Sequence, residues 1–288
     1  MPTLLYFIIY LCVVLLLTAL LYYPIFQLLD PIWEVRPDRF FYRLAMIFAV
    51  LGFWPFLKLL GINNRYALGY TLGRRYFLQT LFRGLGIGVM IMSAHVILLL
   101  LLGAREPITG NVQFREVSYA FLSGLLSGIL VAVIEETFFR GAMQYRIRRN
   151  SPVLTTVIIT SLLYASVHFT RPPIMAEGTI ISWSSGWEML AGMLHQYDDF
   201  TVFVDSFMAL FAAGLLLSLV RERTGNIALC MGIHAGWVLS IKLASEVTIV
   251  ASDSQAAFLI GSYDNIIGWA ATAVLGLITL CYWRYLRV

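Results

Sequence analysis

Residues 4–28 carry no charged side chain. A helix needs about 20 apolar residues to cross the hydrocarbon core of a bilayer. Seven further runs meet that ruler, at approximately 40–60, 81–103, 117–145, 152–170, 201–220, 226–246 and 264–284. The rest of the chain cannot supply a soluble surface: 12% of its 288 residues are charged, against roughly 25% in soluble domains. Mean hydropathy is +0.81. The pattern predicts an all-α, polytopic membrane protein of about eight transmembrane helices with an intramembrane cavity.

Three blocks follow from the spacing. Residues 1–116 hold three N-terminal spans, 117–246 hold the spans that carry buried charges, and 247–288 hold a last span. The first run lacks a basic leader and a small-residue cleavage site, so it reads as a retained membrane helix and not a signal peptide. The longest polar interruption, 171–200, contains Pro172, Pro173, Trp183 and Trp187. It is expected to be a re-entrant or interfacial segment, with tryptophans at headgroup depth. Thirteen of the 20 Lys and Arg fall on one side: Lys58, Arg65, Arg74, Arg75, Arg83, Arg140, Arg146, Arg148, Arg149, Arg221, Arg223, Arg284 and Arg287. The positive-inside rule puts that side, with both termini, in the cytoplasm. Cys12, Cys230 and Cys281 lie far apart in apolar runs, which gives neither a disulfide framework nor zinc-cysteine spacing. No basic tract with interleaved aromatics suggests nucleic acid. The expected partners are membrane lipid and a membrane-anchored peptide or protein.

The stretch VAVIEETFFRGAMQ, residues 131–144, sets Glu135, Glu136 and Arg140 in an apolar span. Charges in lipid are costly and mark function. The span reads as one long helix from about Ser118 to Arg149. Glu136 and Arg140 are four apart and share a face, so they can pair. Glu135 points about 100° away and needs a partner on another helix. The fourth and fifth spans form a hairpin turning near Asn150 and Ser151. His168, ending the fifth span, lies roughly 25 Å from that turn and Glu135 roughly 22 Å, by helical rise. His234, on the seventh span, falls short at about 13 Å, a gap that tilt or an unwound start at Gly225–Asn226 would close. A carboxylate and two imidazoles converging in the membrane satisfy all three groups.

Such a trio has two uses. The carboxylate takes a proton from water and returns it to a leaving amine, while the imidazoles orient the water and hold an oxyanion. Alternatively Glu135, His168 and His234 hold a divalent metal such as zinc with an open position. Both hydrolyse an amide. The chain has no Gly-x-Ser-x-Gly and no HExxH, so serine or cysteine catalysis is not indicated.

EETFFRG resembles the Glu-Glu-x-x-x-Arg first motif of the CPBP family (CAAX proteases and bacteriocin-processing enzymes, also called Abi). YASVH resembles its Phe-x-x-x-His second motif, and HAGWV its third, which begins with His. The likeness covers about 117–243. It implies an intramembrane endopeptidase acting near a membrane anchor, leader or tail, of glutamic or metallo type. It makes Glu135 the general base, Glu136 and Arg140 its support, and His168 and His234 the groups that position water or oxyanion. Tyr164 replaces the usual phenylalanine. Val238 stands where the prenyl-protein proteases carry an asparagine four residues after the histidine. An oxyanion donor is worth about 3 kcal/mol in other enzymes, so this departure points away from a prenyl-CAAX substrate. The compact length fits a bacterial inner membrane.

Two other classes remain open. A proton-coupled transporter would use the same groups as a relay, although no internal repeat or paired broken helices accompany them. A non-catalytic scaffold or regulator of the same fold is the other. His95 reads as a helix-packing hydrogen bond and His195 as a solvated loop residue. Gly84–Val89 follows no strand, so its glycines read as a close helix contact and not a nucleotide loop. Gly124, Gly128 and Ala132 would let another helix approach beside Glu135.

Overall fold

Each of the eight apolar runs folds as a helix. The computed structural model describes residues 2–29, 36–110, 112–175, 178–195, 197–251 and 253–286; Arg287, counted above for sidedness, lies outside them. The helices are α1 (Pro2–Leu29), α2 (Pro37–Leu59), α3 (Arg74–Leu101), α4 (Phe114–Glu136), α5 (Gln144–Arg148), α6 (Val153–Val167), α7 (Ser185–His195), α8 (Val204–Thr224), α9 (Ala228–Val247) and α10 (Trp269–Leu286). A π-helical turn, Thr137–Met143, joins α4 to α5. Among the described residues, six helices are long and apolar enough to cross a membrane, Phe114–Arg148 being one of them. The shorter apolar α6 and the C-terminal α10 account for the other two runs. The chain is thus an all-α, multi-pass integral membrane protein. Its strands, β1 (Arg105–Pro107) and β2 (Thr248–Val250), form one short antiparallel ribbon.

The helices sort into two compact units. The first comprises Met1–Asn63 and Ser166–Phe200. Its core is aromatic: Tyr22 and Phe26 of α1 pack on Phe40 and Phe41 of α2. The interruption 171–200 contributes α7. Its buried residues Ser185, Gly186, Met189 and Met193 recur at helical spacing and join the α1–α2 core, while Trp183 and Trp187 remain exposed. Gly186 permits the approach, since a Cβ there would lie 2.1 Å from the Ala19 carbonyl oxygen.

The second unit comprises Asn64–Ala165 and Thr201–Val288. Here α9 is gripped between α3 and α4, for a reason visible in the small residues. Gly84 and Gly88 of α3 face Gly232 and Gly236 of α9 so closely that a Cβ at Gly88 would sit 2.2 Å from the Ile233 oxygen. A Cβ at Gly232 would sit 2.1 Å from the Leu81 oxygen. Lipid offers no hydrophobic drive between helices, so such backbone contact supplies the packing. On the opposite side, Gly124 and Gly128 of α4 meet Leu239, Ala235 and Val238. The small-residue stripes therefore receive one helix, α9, from both sides. At the far end of this unit Arg105 is buried and clamps the ribbon. Its Nε and Nη2 donate to Thr248 Oγ1 (2.7 Å) and Thr248 O (2.6 Å), and its Nη1 donates to Asn265 O at 2.6 Å. His95 meets the carbonyl of Ile266 at 3.1 Å.

Candidate active site

The long helix Phe114–Arg148 is continuous but not in one register. At the π turn the Gln144 N–H bonds to Phe139 O, five residues back. Arg140 O thereby loses its usual helical donor and accepts Arg221 Nε at 3.1 Å. Single π turns mark functional sites often enough to be noted. Gly141 is required there: a Cβ would lie 2.8 Å from the oxygen of Leu68. The segment Asn64–Gly73 thus lies directly on the turn, and Tyr70 OH meets Thr137 Oγ1 at 2.7 Å.

Glu136 and Arg140 pair across this turn, with Nη1 3.2 Å from Oε1 and both side chains fully buried. Arg140 also donates from Nη2 to Gly214 O at 3.3 Å. Its guanidinium lies 4.2 Å from the ring centre of Tyr164, a cation–π contact that supports a charge away from water. The same Glu136 Oε1 is 2.9 Å from His234 Nδ1. An ionised carboxylate only accepts, so Nδ1 carries a proton and donates. This leaves the other nitrogen, Nε2, turned to Glu135, with Glu135 Oε2 3.9 Å away. That distance is too long for a direct hydrogen bond and is one at which a water can touch both atoms. Tyr164, 2% exposed, closes the site by standing edge-on to His234, with ring centres 6.3 Å apart, and to Phe139 at 5.3 Å.

The arrangement differs from the sequence expectation in one respect. Glu136 is not reserved for Arg140: it is the shared acceptor of Arg140 and His234. His234 reaches it although α9 begins late. Gly225 ends α8 with φ +66°, Asn226 Oδ1 caps the Ala228 N–H at 3.1 Å, and Ile227 N donates to Gly69 O at 3.1 Å. The chain between α8 and α9 is thus unwound over Gly225–Ile227. His168 follows α6 in a turn of the first unit and is partly exposed, whereas Glu135, Glu136, Arg140 and His234 belong to the second. His195 is exposed and bonded to Asp198 at 2.9 Å. Val238 packs at the α4–α9 contact, 3.3 Å from the position a Cβ on Gly128 would take.

Three contributors escaped the sequence reading. The π turn has no composition signal. Arg221 looked like a loop cation. Gln144 was the legible one, because it continues the spacing Glu136, Arg140, Gln144, Arg148 at four-residue intervals.

Formal charge also constrains the chemistry. Two carboxylates and one guanidinium surround His234: Glu136 is shared with Arg140, and Glu135 stands on the Nε2 side of the ring. As to a metal, Glu135 Oε2 and His234 Nε2 are two suitable donors, with Glu136 behind the histidine. Among the described residues no group of three His, Cys, Asp or Glu is gathered as a metal site requires.

Residues 117–240 match the family described as type II CAAX prenyl endopeptidase, Rce1-like. The matched segment contains Glu135, Glu136, Arg140, His168 and His234. No curated protein matches this chain, and no solved structure does.

Proposed function

We propose, from the match of residues 117–240 to the CAAX-type endopeptidase family, that the chain hydrolyses a peptide bond of a membrane-tethered protein or peptide by a glutamate-activated water. The observation that carries this reading is the ordered triad Arg140–Glu136–His234, which leaves Nε2 facing Glu135 across 3.9 Å.

Glu135 is the general base. It removes a proton from water as the water oxygen bonds to the carbonyl carbon, and the carbonyl π electrons move to oxygen. The tetrahedral intermediate then collapses. The C–N bond breaks, the proton held by Glu135 passes to the leaving nitrogen, and a carboxylic acid and an amine separate. His234 Nε2 orients the water or, when protonated, donates to the oxyanion. Glu136 fixes the imidazole and Arg140 fixes Glu136. His168 serves as the second imidazole on the strength of its motif. Among the described residues three metal donors are not gathered, and the proton movements fall to Glu135 and His234.

The substrate is a leader, tail or C-terminal anchor held in the bilayer. Val238 offers no amide to an oxyanion, which favours a substrate other than a prenyl-CAAX tail. The arginine-rich end is assigned to the cytoplasm, and the host membrane to a bacterial inner membrane. The test compares membrane-associated peptides by mass spectrometry in cells expressing wild type or Glu135→Gln at equal levels. A defined fragment present only with wild type supports the reading and identifies the substrate class. Identical peptides defeat it. A lost proton-coupled flux in the same variant would favour the relay, and no change of either kind the scaffold.

A further inference from the structure

The pair Arg140–Glu136 sits at the top of a longer polar line. The helix from the π turn through α5 runs alongside α8, and three successive turns are bridged. Arg140 Nη2 reaches Gly214 O (3.3 Å) and Gln144 Nε2 reaches Ser218 O (2.9 Å). Arg148 Nε then reaches Glu222 Oε2 (3.2 Å). Gln144 Nε2 also touches Glu222 Oε1 at 2.9 Å, which ties the second rung to the third. Only the last rung meets solvent, with the Arg148 side chain 44% and the Glu222 side chain 20% exposed.

Along the inner rungs the protein leaves polar valences open. Glu136 Oε2, Arg140 Nε, Gln144 Oε1 and Ser218 Oγ are all buried and have no hydrogen-bond partner among the described residues. Buried polar atoms of this kind are rare singly and costly. Four on consecutive turns of one helix pair, leading from the catalytic carboxylates to an ion pair at the surface, are not accounted for by packing. Donors and acceptors alternate in the set: a carboxylate oxygen, a guanidinium N–H, an amide oxygen and a hydroxyl. Such a lining suits water, which satisfies two to four partners at once. A dissolved ion would meet both signs of charge and gain little.

We propose that Gln144, Ser218 and Glu222 line a water file, about 18 Å long by helical rise over Glu136–Arg148, through which the buried site exchanges water with the aqueous phase at the arginine-rich end. The hydrolytic reading explains what the file is for, since a site in lipid consumes one water per bond cut. The hydration itself does not depend on that reading. Gln144 is a positioning residue: its Nε2 ties the file to Glu222, and its buried Oε1 is left to accept from water.

The full chain in lipid nanodiscs is exposed to brief X-ray radiolysis, which generates hydroxyl radicals from bound water and labels adjacent side chains. Phe139, whose ring centre lies 5.8 Å from the Arg140 guanidinium, and Met143, the chain neighbour of Gln144, are compared with Met189, which is equally buried in the α1–α2–α7 core, each rate being divided by the intrinsic reactivity of its residue type. Labelling of Phe139 and Met143 is expected at least about tenfold faster than Met189 if ordered water lies beside them. Gln144→Leu with Ser218→Ala should bring Phe139 down to the Met189 rate, and Ser218→Thr, which keeps the hydroxyl, should not. Equal rates at all three positions in the wild type would overturn the file. Undiminished labelling of Phe139 in a double variant that retains the wild-type thermal transition would overturn this route of entry. If that variant unfolds, Glu222→Leu, which removes the outer ion pair and the Gln144–Glu222 contact while keeping Gln144 Oε1 and the Ser218 hydroxyl, makes the same comparison. Because no arm reads peptidase activity, failure of the hydrolytic reading leaves these outcomes intact.

Discussion

Arg140→Met separates a buried ion pair that organises the site from one that merely fills it. In the wild type the guanidinium is 3.2 Å from Glu136 with both side chains excluded from solvent. At an effective dielectric of about 20 two unit charges at that distance attract by about 5 kcal/mol. The face-on contact with Tyr164 at 4.2 Å adds up to about 2 kcal/mol when desolvated. Removing the cation also removes the cost of burying it, so the net loss should be that of stranding one buried charge, about 3–5 kcal/mol. Glu136→Gln alone strands Arg140 and should cost a similar amount. The double variant strands nothing, and the amide oxygen that Glu136→Gln introduces still accepts from His234 Nδ1. It should therefore be more stable than the sum of the single variants by at least about 2 kcal/mol. The assay is equilibrium unfolding in bilayers by steric trapping, with all four members of the cycle in one lipid. A single-variant loss below about 1 kcal/mol, or an additive cycle, would refute the shared-acceptor geometry and with it the reason His234 is held toward Glu135.

Further outcomes follow from the packing and from one buried phenol. Gly88→Leu should prevent α3 from seating on α9, since even a Cβ would lie 2.2 Å from the Ile233 oxygen. Gly86→Ala, with nothing within 4 Å, should be neutral or stabilising by up to about 1 kcal/mol, and thermal unfolding checks both. Tyr164→Leu should cost about 1–2 kcal/mol through the lost cation–π contact and lower turnover more than it raises KM. Arg105→Leu should lower stability by about 1–3 kcal/mol, because it leaves the buried Thr248 carbonyl without this donor, yet spare turnover per folded molecule. Finally, burial holds the Tyr70 phenol above its ordinary value, with the Thr137 hydrogen bond pulling it partly back. A raised folded value means that the contribution is complete below the unfolded value of about 10 and is lost as pH rises past it. Tyr70→Phe should thus flatten the alkaline decline in a pH series of unfolding curves, and an unchanged decline would exclude Tyr70 as its source.

By itself the sequence determined the class, the positions of the eight apolar helices and the charged residues set within them. Hydrophobic length is a one-dimensional property, and lipid tolerates no other way of satisfying that backbone. The pairing of Glu136 with Arg140 was legible for the same reason, since four-residue spacing is local geometry. The glycines of α3 and α4 announced a close neighbour. Which helix filled both grooves was a tertiary choice, because small residues specify proximity and not identity. That Glu136 would also be the acceptor of His234 Nδ1 lay beyond reach. It depends on a one-residue change of register at Thr137–Met143 and on the late start of α9 at Ala228, and together these bring His234 onto Glu136. A π turn arises where the tertiary contacts of Arg140 O with Arg221 and of Gly141 with Leu68 offset the helical bond it gives up. Those partners are 81 and 73 positions away along the chain (221 − 140 and 141 − 68). No window of sequence contains both ends of such an exchange, so only the folded chain could make it.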